Sequence, residues 1–324
     1  MSILPSEPKQ QAQLADIVRQ VCELEVRAFK PGNVSVASSG HGMRADDFLA
    51  SARAMAGPLC SPGLRVGQRV HDAIAATQAV VNFNTNLGIV LLAAPLVQAA
   101  LRDSPLQDLR ARLEEVLAEL DINDAELSYQ AIRLAAPGGL GSSERHDVNR
   151  PARVTLLQAM AEARERDTIA RAYVTGYADV FLVGVPLIRA ALARWGSEEW
   201  AIVAAYLGFL SRFPDTHIQR KFGYQTARDV SRQAAEIDRD MQGAARPEEL
   251  LPRLTDLDHS LKSAGINPGT SADLSVASLI ALRFQQVLHQ SVNGRPANSA
   301  AGSHPKRARQ TTNPRFLTLV LKEK

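Results

Sequence analysis

A chain of 324 residues with 45% hydrophobic and 22% charged residues has the composition of a globular protein, long enough to bury a core without staples. Its two cysteines, Cys22 and Cys60, fit neither a metal-ligand spacing nor a disulfide framework. The formal net charge of +3 misleads, because residues 291–324 hold seven cations against one acid, a net +6 that leaves −3 on the rest. A nucleic-acid partner therefore loses its main support. No secretory segment is apparent at the start, which makes the cytoplasm the expected compartment. The longest apolar run, 87–97, contains Pro95 and is too short to cross a bilayer, so no membrane association is expected.

In chain order, residues 10–29 place Leu14, Ile17, Val18, Val21, Leu24 and Val26 near one face at helical spacing. An Ala-rich helix over 46–56 follows a polar loop. The run 87–97 reads as a core helix with a bend or break near Pro95. Over 106–120, Leu109, Leu113, Val116, Leu117 and Leu120 form a stripe opposite charged positions. A helix over 151–166 opens on Pro151, a residue suited to a first turn. Further helical stretches cover 167–183, 198–210, 225–241, 247–263 and 271–290. Alternating runs and aromatics are scarce. The expected fold is all-α, one multi-helix domain over residues 1–290. Beyond it, 291–324 is rich in Ser, Ala, Asn, Pro and basic residues and is expected to be a mostly disordered tail.

Polar motifs interrupt these helices. Lys30-Pro31-Gly32-Asn33 ends the first helix, either as a C-cap with a dipole-compensating lysine or as a phosphate-binding lysine beside a glycine. Asn82-Phe83-Asn84-Thr85-Asn86-Leu87-Gly88 crowds amides against an apolar run; a helix starting near Thr85 or Asn86 would aim free N–H groups at one spot suited to an anion. An ordinary N-cap explains the same residues. Gly138-Gly139-Leu140-Gly141-Ser142-Ser143 lacks the Lys and the preceding strand of a P-loop and reads as a flexible loop, with His146-Asp147 beyond it. Asp215, Thr216, His217, Arg220 and Lys221 cluster before Gly223; a cap accounts for Asp215 or Thr216 but not for the paired cations. In Asn267-Pro268-Gly269-Thr270-Ser271-Ala272-Asp273, the Thr270 to Asp273 spacing fits a capping box, or Asp273 is a second carboxylate for a divalent cation. Carboxylates, amides and cations on a helical frame suit a magnesium-dependent enzyme acting on a phosphorylated nucleotide, with the reaction left open.

The ordered set Lys30-Pro31-Gly32, Asn84-Thr85-x-x-Gly88, Asp215-Thr216 with Arg220, Lys221 and Gly223, and Pro268-Gly269-x-Ser271-Ala272-Asp273-Leu274 resembles the triphosphoribosyl-dephospho-CoA synthase family. The resemblance implies a helical transferase that moves the 5-triphosphoribosyl group of ATP to the 2′-hydroxyl of 3′-dephospho-CoA and releases adenine. It also implies ATP and dephospho-CoA, or a related acceptor, as small-molecule substrates and Mg2+ as cofactor. In the family the product is a precursor of the prosthetic group of citrate lyase and malonate decarboxylase. Ser35 stands where that branch tends to carry an acid, and His41-Gly42-Met43 departs from its His-x-Asp-Met. The chain looks more like the divergent branch found in archaea and C1-metabolising bacteria, so another acceptor, an N-glycosidic hydrolase or a non-catalytic nucleotide-binding module are the alternatives.

On this resemblance Asp215 and Asp273 are expected as catalytic or metal-binding carboxylates, and Lys30, Arg220 and Lys221 as triphosphate ligands. Gly32, Asn33, Asn84, Thr85, Gly88, Thr216, Gly223, Gly269 and Ser271 complete the expected nucleotide site.

Overall fold

The computed structural model describes residues 7–293, so the basic tail expected over 291–324 lies outside the described residues, apart from the last turn of the final helix. Among the described residues there are fourteen α-helices and no strand, as the composition predicts. They are α1 (Glu7–Arg27), α2 (Ala45–Leu59), α3 (Val66–Gln78), α4 (Leu87–Leu101), α5 (Leu109–Ala118), α6 (Ile122–Ala135) and α7 (Leu156–Ala163). The second half holds α8 (Thr168–Val174), α9 (Val185–Trp195), α10 (Glu198–Arg212), α11 (Thr216–Phe222), α12 (Tyr224–Gly243), α13 (Leu251–Ser263) and α14 (Gly269–Asn293). No helix among the described residues is long and apolar enough to cross a membrane.

Three helices, α4, α10 and α14, are apolar nearly all round and form the centre. Ala201 to Leu210 of α10 are buried without a gap, and so are Leu274 to Leu282 of α14. A helix without a polar face is stable only when other helices enclose it. Accordingly α14 packs on α4, α10 and α1, while amphipathic helices such as α12, with one apolar stripe, lie outside.

The sequence reading missed α3, α6 and α9. For α6 a local signal existed: Asp121 and Asp124 form a reciprocal capping box just before Ile122. Pro151 does not open a helix; α7 starts at Leu156, where Thr155 and Gln158 make the capping box. The stretch expected over 167–183 divides, because Gly176 and Tyr177 both take positive φ. A wide π-type turn, Val180–Gly184, then leads into α9.

The expected break at Pro95 is absent, and α4 runs through it. Proline removes the N–H that would bond the Leu91 carbonyl four residues back. The buried Tyr173 hydroxyl donates to Leu91 O at 2.6 Å, and Tyr177 donates to Leu92 O at 3.1 Å. Two tyrosines from the 168–177 segment thus satisfy carbonyls that the proline disturbs, and they fasten α8 to the central helix. Tyr173→Phe should lower unfolding free energy by about 1–3 kcal/mol, the usual cost of a buried carbonyl left without its donor. In a Pro95→Ala background the loss should shrink, because alanine at that position restores the N–H. Urea denaturation of the two single variants and the double variant measures the coupling.

Candidate active site

Four helix N-termini, those of α4, α8, α11 and α14, meet around one cleft of about 300 Å3. Their convergence follows from a polar clamp beneath it. Asp215 caps α11 through Oδ1, which accepts from the His217 and Ile218 N–H groups at 2.9 and 3.1 Å. Its Oδ2 accepts from both N and Oγ of Ser271 at 2.8 Å, in the first turn of α14. Thr216 Oγ1 lies 3.2 Å from Thr270 Oγ1 and accepts from Thr168 N at 3.3 Å, which brings in α8.

These contacts correct several expectations. Asp215 is buried with both oxygens occupied, so it holds two helices together and presents no lone pair to a substrate or metal. Ser271 is its partner, and Thr216 is a second buried tie. Lys30 is fully buried; its ammonium donates to the Glu25 and Ala28 carbonyls and pairs with Glu25 Oε1 at 3.0 Å, which leaves nothing for a triphosphate. Gly32 has φ +79 and gives its N–H to Asp258 Oδ1 at 2.7 Å, while Leu261 and Pro268 fill the space a side chain would need. Gly223, at φ +88, forms the joint between α11 and α12 and does not line the cleft.

The remaining expected residues do line the cleft: Asn33, Asn84, Thr85, Gly88, Arg220, Lys221, Gly269 and Asp273. Asn84 also accepts from Leu87 N at 3.1 Å, so this amide caps α4 and faces the cleft at once. Thr85 is tied to Ser51 at 2.6 Å and Asn86 to Thr77 at 2.9 Å. Asn33 donates to Asn267 at 2.9 Å. The two glycines serve protein groups. A Cβ on Gly88 would collide with Asp273 Oδ2, and one on Gly269 would come within 2.6 Å of His217 Nδ1. Each lets a polar side chain of one helix lie against the backbone of another. Asp273 makes neither the capping-box bond to Thr270 nor any other hydrogen bond or ion pair among the described residues; its carboxyl faces the cleft.

Residues that sequence reasoning left out complete the walls. Glu25 comes from the end of α1, Asp167 from the cap of α8, and His41 from the loop after α1, close enough to His217 of the cluster already read to feel its charge. The Pro137-Gly138-Leu140 stretch, read as a free loop, drapes over the Arg220 and Lys221 stems; a Cβ on Gly138 would sit 3.3 Å from Lys221 Cε. Asp167 carried a cap signal, whereas Glu25 sits in an ordinary helical pattern and only the tertiary fold exposes its role.

Acids and cations line the same cleft, and Asp167 and Arg220 face each other there at nearly equal, partial exposure. Burial pushes the Asp273 carboxyl well above its ordinary value, reinforced by Glu25, Asp215 and Asp167 and opposed by Arg220. Burial also lowers His217 to about 3, with Lys221, Arg220 and His41 adding to the shift, so its imidazole is neutral at pH 7. Lys221 is lowered by partial burial and by Arg220, and has no ion-pair partner among the described residues. Arg220 has only Asp167, at 3.8 Å. No cluster of three or more His, Cys, Asp or Glu among the described residues is arranged to hold a metal alone.

The two aspartates should respond oppositely to removal of charge. Asp215→Asn sets an NH2 or a lost acceptor against four donors and should destabilise by about 1–3 kcal/mol. Asp273→Asn should stabilise at pH 7. The folded-state pKa of Asp273 lies above its ordinary 3.8, so the penalty it imposes grows as pH rises above that value and vanishes below it. Urea melts at pH 7 and near pH 4 check both signs; the gain should be present at pH 7 and lost near pH 4.

The sequence profile of the ATP:dephospho-CoA triphosphoribosyl transferase family matches residues 11–291. None of the curated proteins matches the chain. A crystal structure from Archaeoglobus fulgidus, provisionally described as a triphosphoribosyl-dephospho-CoA synthase, is similar with a TM-score of 0.58 and 24% identity, covering 73% of this chain and 98% of that one. That likeness concerns the helical fold. The profile spans the central helices and every wall of the cleft, and the chain accordingly belongs to the triphosphoribosyl-dephospho-CoA synthase family of transferases.

Proposed function

We propose that the protein transfers the 5-triphosphoribosyl group of ATP to the 2′-hydroxyl of 3′-dephospho-CoA and releases adenine. The observation that carries this reading is the pairing of an unbonded carboxyl, Asp273, with the Arg220 and Lys221 cations across one cleft ringed by helix N-termini. The positive dipole ends at those termini favour a polyanion. In the reaction the bond between ribose C1′ and adenine N9 breaks, and C1′ bonds to the acceptor oxygen. The hydroxyl proton of the acceptor balances the adenine that leaves neutral. Arg220 and Lys221 hold the triphosphate, and Asn33, Asn84 and Thr85 orient the ribose. Asp273, whose carboxyl is pushed up by burial and by neighbouring acids and so holds its proton more tightly than an ordinary aspartate, donates to the departing adenine. Neutral His217, against Gly269, offers a hydrogen bond without adding charge.

Magnesium fits this site as part of the ATP complex. Such an ion uses one or two carboxylates and completes its shell with phosphates and water. Asp167 is the carboxylate that would reach it, and it would neutralise triphosphate charge there.

Incubation with ATP, magnesium and 3′-dephospho-CoA should release adenine, followed by chromatography, only when the acceptor is present. Release without acceptor indicates a hydrolase, and ATP binding without release indicates a module; either overturns the proposal. Asp273→Asn should lower kcat by roughly 10²–10⁴-fold, the range of general acid catalysis. Its pH profile should lose the basic limb along which the wild type declines. Arg220→Ala and Lys221→Ala should mainly raise KM for ATP, by roughly tenfold or more each.

A further inference from the structure

Beside the polar cleft lies a second lobe of about 390 Å3, and the two share a wall that includes Asp167, Ile169 and Arg220. Its floor is apolar and firm: Tyr129, Leu156 and Met160 are all buried, and Tyr129 is fixed by its hydroxyl bond to His146 O at 3.1 Å. Its rim carries Arg145 and Arg166. Arg166 bonds only neutral groups, the Glu162 carbonyl at 3.1 Å and the Ser143 hydroxyl at 3.4 Å. Arg145 reaches Glu162 only at 3.8 Å. Of the other acids lining the lobe, Asp147 already accepts the Ser143 and Asn149 N–H groups and Asp167 faces Arg220. Two guanidiniums above an apolar floor thus have little local neutralisation, a combination that suits an anionic molecule with an apolar or planar body.

We propose that this lobe is a separate subsite for the acceptor, an amphipathic phosphate ester whose body lies on Leu156 and Met160 and whose anion meets Arg145 and Arg166. The proposal rests on the transfer reaction above and assigns the two substrates to different lobes. They meet at Asp167. Its Oδ1 caps α8 by accepting from Ile169 and Ala170, whereas Oδ2 has no hydrogen bond and faces Arg220. That oxygen lies on the wall the two lobes share, between the site proposed for the triphosphoribosyl group and the site proposed for the acceptor.

Calorimetric titration of the full chain tests the assignment, with ATP and 3′-dephospho-CoA as separate probes and the latter repeated with tripolyphosphate filling the polar cleft. Ala159→Phe, on the face of α7 that lines the lobe, and the exposed Arg166→Glu should each weaken 3′-dephospho-CoA at least tenfold. ATP binding should stay within twofold, which also shows that both variants are folded. Equal weakening of both ligands, no change for 3′-dephospho-CoA, or no binding of it by the wild type under either condition overturns the proposal. A preserved split in binding without adenine release in any mixture leaves the subsite standing and removes the transfer reaction instead.

Discussion

Asp215 is the contact on which the cleft depends. One carboxylate accepts four hydrogen bonds, two from the start of α11 and two from the start of α14. Buried polar groups must be satisfied, and three of these four donors are helix-terminal N–H groups that have no partner inside their own helix. The clamp therefore removes several orphan donors while bringing two positive helix ends together. With Thr216 adding α8, the N-termini are held on one side of the molecule against the tendency of like dipole ends to repel. The Asp215 carboxylate lies between the α11 and α14 ends and itself lowers that repulsion.

The acids show the complementary tension. Glu25 is tolerable in the interior because Lys30 is buried against it, a pair that gives little net stability but would be costly to break. Asp273 has no such partner among the described residues. Gly88 allows its carboxyl to lie against α4, near Glu25 and Asp167, and burial raises its hold on a proton. A fold selected for stability alone would replace this side chain, since an amide of the same shape removes the charge problem. Its placement in the polar cleft shared with Arg220 and Lys221 is thus best understood through chemistry.

The fold class was legible because helical periodicity and helix-forming composition extend over most of the chain. The helices missed, α3, α6 and α9, have apolar stripes no weaker than those of helices that were read, and α6 carries in addition a reciprocal capping box at its start. The cleft was half legible. Motif residues around Asn84, Arg220 and Asp273 do converge, because helix-terminal polar clusters are where buried backbone groups and ligands compete for the same side chains. The assignment of roles within motifs was not legible. Lys30, Gly32 and Asp215 look like ligand groups in one dimension, but their partners, Glu25, Asp258 and Ser271, come from positions that only tertiary packing brings near. Glu25 and Tyr129 were invisible for the converse reason, being regular positions on regular helices.

The glycine-rich segment after α6 shows how a weak motif acquires meaning from its neighbours. By itself it lacks what a phosphate loop needs. Packed on the Arg220 and Lys221 stems, it keeps these two cations aimed at the cleft, since any larger side chain at Gly138 would crowd Lys221. Its far end, through Ser143 and Arg145, forms the rim of the second lobe. One segment thereby borders both cavities, and Arg220 faces both as well. A ligand that draws Arg220 toward one lobe changes the charge seen from the other. On the proposed assignment the two lobes are coupled through that guanidinium, with a sign set by charge: a polyanion in the polar cleft would neutralise Arg220 and leave the second lobe to rely on Arg145 and Arg166.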